Sequence, residues 1–101
     1  MPRNVSSGSF DDCLRALEHG RRREVLAALL DAEPLRPPVF ADDERGRLSL
    51  THTHLPVLAD MGYIDWDREA GRVRRGPRFD DVATLLALLR THEDDLPWSV
   101  V

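Results

Sequence analysis

The spacing of apolar residues along the chain predicts four helices and one β-hairpin. Apolar side chains recur every three to four residues in the helical stretches, whereas apolar and polar residues alternate in the two strands. Gly20, Gly62 and the pair Gly76–Pro77 separate these stretches, because glycine and proline end regular structure. The predicted helices cover about residues 10–20, 21–32, 49–62 and 79–91, and the predicted strands cover residues 63–67 and 72–75.

The stretch from Ser49 to Asp67 organises the rest of the chain. Thr51, Leu55 and Leu58 fall on one side of a helix that ends at Gly62, where a residue without Cβ can adopt the left-handed conformation. The other side of this helix is predicted to be polar and exposed. It carries Ser49, His52, Thr53, Pro56 and Asp60.

A basic hairpin follows this helix. Ile64, Trp66 and Val73 are predicted to share its covered face, whereas Arg72 and Arg74 project from the opposite face. A left-handed glycine is expected in the connecting turn. The hairpin and its exit contain five arginines, which are Arg68, Arg72, Arg74, Arg75 and Arg78.

A helix, a glycine and a basic hairpin follow one another in this way in winged helix-turn-helix proteins. There the helix lies in the DNA major groove and the hairpin is the wing. We therefore predict a mainly helical α+β fold with a β-hairpin wing, which binds double-stranded DNA through the helix face, the wing and the start of the second helix. The residues predicted to contact DNA are Ser49, His52, Thr53, Arg68, Arg72, Arg74, Arg75, Arg21 and Arg22.

The segment before this stretch departs from that arrangement. Pro34, Pro37 and Pro38 exclude a regular helix in the first part of residues 33–47. Residues 40–47 contain no proline but are short, acidic and interrupted by Gly46. The positioning helix of a helix-turn-helix is therefore predicted to be a single distorted turn, or to be replaced by a loop.

Two motifs give the chain a resemblance to a known family. An arginine triplet begins the second helix, and the sequence HTHLPVLADMG forms most of the third. These motifs resemble those of a haloarchaeal family of small winged-helix proteins that have the look of ArsR-type regulators. The residues that carry the resemblance are Arg21, Arg22, Arg23, His52, His54, Leu55, Pro56, Leu58, Asp60 and Gly62. The resemblance covers about residues 10–89, except for residues 33–47, and implies a winged-helix fold.

The composition bounds the class of protein. With 101 residues, of which 42% are hydrophobic and 32% charged, the chain is expected to form one globular domain. We expect it to span residues 10–91, after a flexible N-terminus at residues 1–9 and before a tail at residues 92–101. The formal net charge is −4, and all fourteen basic residues are arginine. This charge argues against nonspecific coating of DNA but allows a specific binder with a local positive patch.

The chain shows no sign of an enzyme or a membrane protein. No signal peptide and no apolar run long enough to span a membrane is visible, so we expect a cytoplasmic protein. Cys13 is the single cysteine, which excludes an internal disulfide. We expect neither catalysis nor a cofactor, because no nucleophile stands in a motif with a base and no glycine-rich phosphate loop occurs.

The paired histidines are not expected to bind metal. His52 and His54 are two residues apart, so a helix turns their side chains roughly 200° away from each other and they cannot chelate one ion together. We expect His52 on the surface and His54 partly buried in a hydrogen bond.

Two groups of arginines have competing explanations. The triplet at residues 21–23 opposes the dipole at a helix start, so its charge is offset either by carboxylates such as Glu18 and Glu24 or by a DNA phosphate. The wing arginines either contact phosphates or pair with Asp65 and Asp67 across the hairpin.

The last helix carries more apolar residues than one core contact requires. Leu85, Leu88 and Leu89, together with Trp98 in the tail, are therefore predicted to pair with a second copy of the chain. The function we expect is that of a homodimeric, DNA-binding transcriptional regulator. The alternative is a winged-helix module that dimerises or binds another protein without binding DNA.

Overall fold

The computed structural model describes residues 7–36 and 43–97, with side chains from Phe10 onward. Its elements are α1 (Ser7–Leu17), α2 (Gly20–Asp31), α3 (Glu44–Ser49), a π-helical turn (Leu50–His54), α4 (Leu55–Asp60), β1 (Ile64–Asp67), β2 (Arg72–Arg75), α5 (Phe79–Thr91) and a final 3-10 turn (Glu93–Asp95). The predicted fold class is confirmed, because the chain is mainly helical and carries an antiparallel hairpin in a winged-helix-like α+β arrangement.

α3, the π-helical turn and α4 run on as one helix, called here the central helix. Leu50 and Leu55, at the two junctions, both have right-handed helical backbone angles. Pro56 accounts for the wider turn, because a proline inside a helix has no amide hydrogen and its ring collides with the carbonyl four residues earlier. The Leu55 amide bonds instead to the Leu50 carbonyl, so Pro56 lies in the first turn of α4, where no amide hydrogen is needed.

The central helix begins earlier than predicted. We expected a helix from Ser49, preceded by a distorted turn or a loop, whereas α3 starts at Glu44 and continues without a break. Asp43 caps this start, and its carboxylate accepts a hydrogen bond from the Gly46 amide at 2.7 Å. Residues 43–49 therefore contain no separate positioning helix. Residues 33–36 are not helical either, and residues 37–42, the rest of the segment for which that helix was considered, lie outside the described residues.

β1 and β2 form the predicted hairpin. Trp66 lies opposite Val73 on one face, and Asp65 lies opposite Arg74 on the other. The glycine of the turn, Gly71, has a φ of 66°, which is the left-handed conformation predicted for it. Leu35 extends the sheet by exchanging two backbone hydrogen bonds with Val73, at 2.8 and 2.9 Å. This bridge anchors the segment after α2 to the hairpin.

The core lies where the helices meet the hairpin. α1, α2 and α5 pack against one another, and the central helix packs against α2 and β1. Tyr63 is fully buried, and its hydroxyl is hydrogen bonded to the Cys13 Sγ at 3.3 Å, which joins α1 to the residue before β1. The buried apolar residues are Cys13, Ala16, Leu17, Val25, Leu26, Ala27, Leu29, Leu50, Leu55, Leu58, Met61, Tyr63, Ile64, Val73, Phe79, Val82 and Leu86.

α2 and α5 match the prediction closely, whereas α1 lies about three residues earlier than predicted. α5 covers the predicted residues, and Gly62, with a φ of 81°, ends the central helix as predicted. The boundary between the first two helices differs, because α1 ends at Leu17 and Gly20 begins α2 instead of closing α1. None of the helices in the described ranges is long and apolar enough to cross a membrane.

Candidate nucleic-acid interface

The outward side of the central helix is polar from Ser49 onward, as predicted, whereas Leu48, just before it, is an exposed apolar residue. Leu50, Leu55 and Leu58 are buried and fix the orientation of the helix. His52 and Thr53 are therefore exposed, and Ser49, one turn earlier, is half-buried. The predicted exposure of the His-Thr pair is confirmed, and its contact with DNA stays a prediction.

His54 lies on the inner side of the same helix, also as predicted. It is 7% exposed, and its Nδ1 accepts a hydrogen bond from the Arg22 Nε at 3.2 Å. Burial, followed by the charge of Arg22, lowers the pKa of His54. Within residues 7–36 and 43–97, no group of three or more His, Cys, Asp and Glu side chains could hold a metal ion.

Two exposed arginines join this surface from α3. Arg45 shares the outward side of the helix, because it precedes Leu48 and Ser49 by three and four residues, and Arg47 is exposed beside it. In the described part of the chain, no hydrogen bond or ion pair engages either guanidinium. We did not predict these two residues because the segment was not assigned to the helix. The missed signal is Asp43, a favourable capping residue, at the start of a proline-free segment.

Arg72 and Arg74 project from the outer face of the hairpin, as predicted, and two aspartates share that face with them. Asp65 lies opposite Arg74, and Asp67 lies opposite Arg72. These four residues, called here the wing quartet, line an open cavity of about 390 Å³. Side chains directly opposite on antiparallel strands have Cβ atoms roughly 4.5–5.5 Å apart, so each carboxylate offsets a neighbouring guanidinium. No ion pair within 4.0 Å forms in the quartet, and both arginines remain exposed.

Arg68, in the turn of the hairpin, lies on the other face, over Trp66. Its guanidinium carbon is 4.4 Å from the centre of the Trp66 ring, a cation–π contact. Arg68 is exposed, so the contact leaves its donors accessible. The predicted wing arginines therefore do not form one surface: Arg68 covers an indole, and Arg72 and Arg74 belong to the wing quartet.

Arg22 contradicts its predicted role in DNA binding. It is 5% exposed, and its Nη1 donates to the Arg15 carbonyl at 2.7 Å while its Nε donates to His54. A phosphate outside the protein cannot reach a guanidinium in this position. Burial lowers the pKa of Arg22, and the charge of Glu18, whose carboxylate is 3.8 Å away, raises it.

The rest of the triplet is offset mainly inside the molecule. Arg23 donates to the Leu17 carbonyl, so the last turn of α1 receives hydrogen bonds from the start of α2. Arg21 is half-buried and forms an ion pair with Glu24 at 3.5 Å. Carboxylates, as considered from the sequence, thus offset part of the positive charge of the triplet. The C-terminal end of α1, which carries a partial negative charge, offsets another part, and this contribution was not predicted.

Arg75 also differs from its predicted role. Its Nε donates to the Leu29 carbonyl at 2.7 Å and its Nη2 to the Leu30 carbonyl at 3.4 Å, both in the last turn of α2. Its guanidinium carbon also lies 5.6 Å from the centre of the Phe79 ring. Arg75 alternates with Arg74 along β2, so it lies on the inner face of the hairpin, and its guanidinium bonds to the end of α2 although the residue as a whole is exposed.

The predicted dimerisation residues of α5 differ in exposure. Leu85 and Leu89 are half-buried and pack against the core of their own chain. Leu88 is 55% exposed. Trp98, which was predicted to extend this surface, lies outside the described residues. The surplus apolar surface on α5 is therefore smaller than predicted and is centred on Leu88.

One family of known sequences matches part of the chain. The family described as "Domain of unknown function (DUF7344)" matches residues 36–74, a segment that contains the central helix and all of the hairpin except its last residue, Arg75. This segment is less than half of the 101-residue chain. No curated protein and no solved structure matches. The similarity therefore falls on the candidate interface and assigns no activity to it.

Proposed function

We propose that the protein is a cytoplasmic, DNA-binding transcriptional regulator of the winged-helix type, which acts as a homodimer. The supporting observation is the two-sided central helix, on which His52 and Thr53 are exposed while the adjacent His54 and Leu55 are buried. Such a helix is held to the domain by one side and offers hydrogen-bonding groups on the other, as readout of base edges in the major groove requires. The proposal also agrees with the resemblance of the two motifs to those of a haloarchaeal winged-helix family that has the look of ArsR-type regulators.

The exposed arginines supply phosphate contacts in this proposal. Arg45 and Arg47 lie at the start of the central helix, and Arg72 and Arg74 lie on the outer face of the hairpin. A protein that reads base edges with a helix also needs such contacts to fix its register on the duplex. The net charge of −4 keeps nonspecific attraction to DNA weak, so recognition depends on the helix face.

The wing quartet favours a second candidate function, a protein-interaction module without a DNA role. Asp65 and Asp67 oppose the two arginines that a wing would offer to phosphate. A carboxylate near a DNA backbone is repelled, whereas an alternation of both signs suits a polar protein partner. The two candidates therefore differ in what the quartet does, and that difference is measurable.

The first experiment selects DNA sequences from a random duplex library with the purified protein. We expect enrichment of a defined sequence motif, and loss of that preference in the double variant His52→Ala/Thr53→Ala. Thr91→Ala/His92→Ala is the matched control, because it removes an exposed Thr-His pair at the end of α5. Recovery of no enriched motif by the unmodified protein would support the interaction module.

The second experiment measures affinity for the selected duplex at several salt concentrations. Each phosphate contact that is lost flattens the dependence of log affinity on log salt by about one unit. Arg72→Ser/Arg74→Ser should therefore flatten the slope by about two units, whereas Asp65→Asn/Asp67→Asn should raise the affinity. The charge-matched control Arg15→Ser/Arg90→Ser should leave the slope unchanged. If the wing variant and the control variant show the same slope, the wing arginines do not contact phosphates and the wing is not part of the interface.

A further inference from the structure

The two motifs singled out in the sequence meet inside the protein. Arg22, from the arginine triplet, donates its Nε hydrogen to Nδ1 of His54, from the HTHLP sequence, across 32 positions of the chain. Apart from the hydrogen-bonded Cys13 and Tyr63, they are the only buried side chains with polar or charged groups among the described residues, at 5% and 7% exposure. A buried cation destabilises a protein unless its donors are bonded, so this contact is a specific part of the packing.

Arg22 links three elements of the fold. Its backbone lies in the first turn of α2, its Nη1 donates to the Arg15 carbonyl near the end of α1, and its Nε reaches the central helix. His54 is the last residue of the π-helical turn, directly after the exposed Thr53. The contact therefore fixes the central helix at the level of the residues that we propose to read DNA.

The contact requires an unprotonated His54. A neutral imidazole can accept a hydrogen bond at Nδ1, whereas a protonated one carries hydrogen on both nitrogens and would direct an N–H at the Arg22 Nε–H. The surrounding groups offer little compensation: the ring of His19 lies 5.2 Å away, and Arg21 adds a further positive charge. Glu18, between α1 and α2, is 58% exposed and already lies within 4.0 Å of both Arg22 and His19.

We propose that neutral His54 is a positioning residue for DNA recognition, which holds the central helix on α1 and α2 through Arg22 and releases it when protonated. This inference rests on the proposed function and adds control of DNA affinity by proton concentration. His52, on the outward side of the helix, is not part of the contact.

Affinity for the selected duplex, measured as a function of pH, tests the proposal. Because the pKa of His54 lies below its ordinary value of about 6.5, affinity should be constant above that pH and then fall by at most about tenfold per pH unit. His54→Asn keeps an acceptor near the position of Nδ1 but does not titrate. The affinity of this variant for the duplex should therefore not fall as the pH is lowered. His92→Asn, which changes an exposed histidine on another element, should retain the original profile. A fall that persists in His54→Asn would overturn the proposal.

A measurement without DNA separates this proposal from the proposed function. In NMR spectra of the unmodified protein, the backbone amides of Arg22 and of residues 51–55 should titrate together with the His54 imidazole, at a pKa below about 6.5. Amides that stay constant while the imidazole titrates would refute the positioning role. Failure to bind any DNA at any pH would refute the proposed function, and the titration would still decide the role of His54.

Discussion

At the residue scale, the arginines have two distinct roles. Arg23, Arg75 and Arg78 donate to backbone carbonyls at or near the ends of α1, α2 and the central helix. A helix C-terminus presents unpaired carbonyls and a partial negative charge, which suit a guanidinium with several donors. Arg72 and Arg74 instead project into solvent from the hairpin. The number of arginines in the sequence therefore overstates the positive charge that is available to an external partner.

The neighbouring residues Arg75 and Arg74 should differ sharply in their effect on stability. Arg75→Ala removes charge-assisted hydrogen bonds to the last turn of α2, which should lower the free energy of unfolding by about 1–2 kcal/mol. Arg74→Ala, one residue earlier, removes a guanidinium that is also exposed but lacks these bonds, so it should change the free energy by less than about 0.5 kcal/mol. Urea denaturation of both variants measures the difference. Similar losses for the two would show that the bonds to α2 contribute little.

Substitutions of leucines on opposite sides of the central helix should also differ in their effect on stability. Leu58 is fully buried, so Leu58→Ala removes apolar contacts and leaves a cavity, which should lower the free energy of unfolding by roughly 2–5 kcal/mol. Leu48 is 50% exposed, and Leu48→Ala should lower it by less than about 0.5 kcal/mol. Thermal and urea unfolding of each variant test this. A large loss for Leu48→Ala would mean that this side of the helix is covered in solution.

The sequence predicts the facing of residues better than their partners. Helical spacing was sufficient to place His52 and Thr53 outside and Leu55 and Leu58 inside, because facing depends on position within one element. It could not predict that Arg22 bonds to His54, since the two lie on different helices. Which side chains meet across two elements is therefore known only from the packed structure. For that reason the DNA contact predicted for Arg22 was wrong.

At the scale of elements, the sequence predicted boundaries best where glycine or proline ends a helix or strand. Gly62 marks the end of the central helix, and the pair Gly76–Pro77 separates β2 from α5. The predicted extents of β2 and α5 match the structure. The start of the central helix was missed because Gly46 lowers helix propensity and three prolines precede the segment. Packing of the helix against α2 and β1, together with the cap from Asp43, outweighs that local preference.

The junction between the hairpin and α5 should tolerate no side chain at Gly76. A Cβ there would lie 2.5 Å from the Gly62 carbonyl oxygen and 2.8 Å from the Ile64 nitrogen, both backbone atoms that cannot move independently. Gly76→Ala should therefore lower the free energy of unfolding by about 1–3 kcal/mol or more. Gly20→Ala is the matched control, because its Cβ would meet only the end of the Arg23 side chain, at 3.7 Å.

That control should leave stability unchanged or raise it by up to about 1 kcal/mol, since alanine restricts the unfolded chain more than glycine does. Urea denaturation of the two variants under the same conditions provides the comparison. Equal effects at the two positions would mean that the end of the hairpin relaxes to admit a methyl group.

At the scale of the whole molecule, exposed apolar surface is distributed over several elements. Phe10 and Leu14 are exposed on α1, Leu48 on the central helix and Leu88 on α5. Scattered apolar residues are normal on a protein surface, so exposure alone does not identify an interface. The proposed homodimer uses only the part of this surface on α5, and a comparison of leucines on two helices can test that choice.

Assembly should depend on Leu88 and not on Leu14, although the two are similarly exposed, at 55% and 48%. A symmetric pairing of α5 with its copy buries Leu88 twice, and each burial should contribute about 1.5–3 kcal/mol. Leu88→Glu removes both contributions, so it should weaken the dimer by roughly a hundredfold or more. Leu88 also suits this test because, unlike the half-buried Leu85, it can be replaced by glutamate without placing a charge against the core.

Sedimentation at micromolar concentration should therefore show a dimer for the unmodified protein and for Leu14→Glu, and a folded monomer for Leu88→Glu. Circular dichroism confirms that each variant remains helical. A monomeric unmodified protein would contradict the proposed homodimer, and dissociation by Leu14→Glu alone would assign the interface to α1. If Leu88→Glu also lowers affinity for the selected duplex while His54 titrates as in the unmodified protein, then assembly and the Arg22–His54 contact control DNA binding independently.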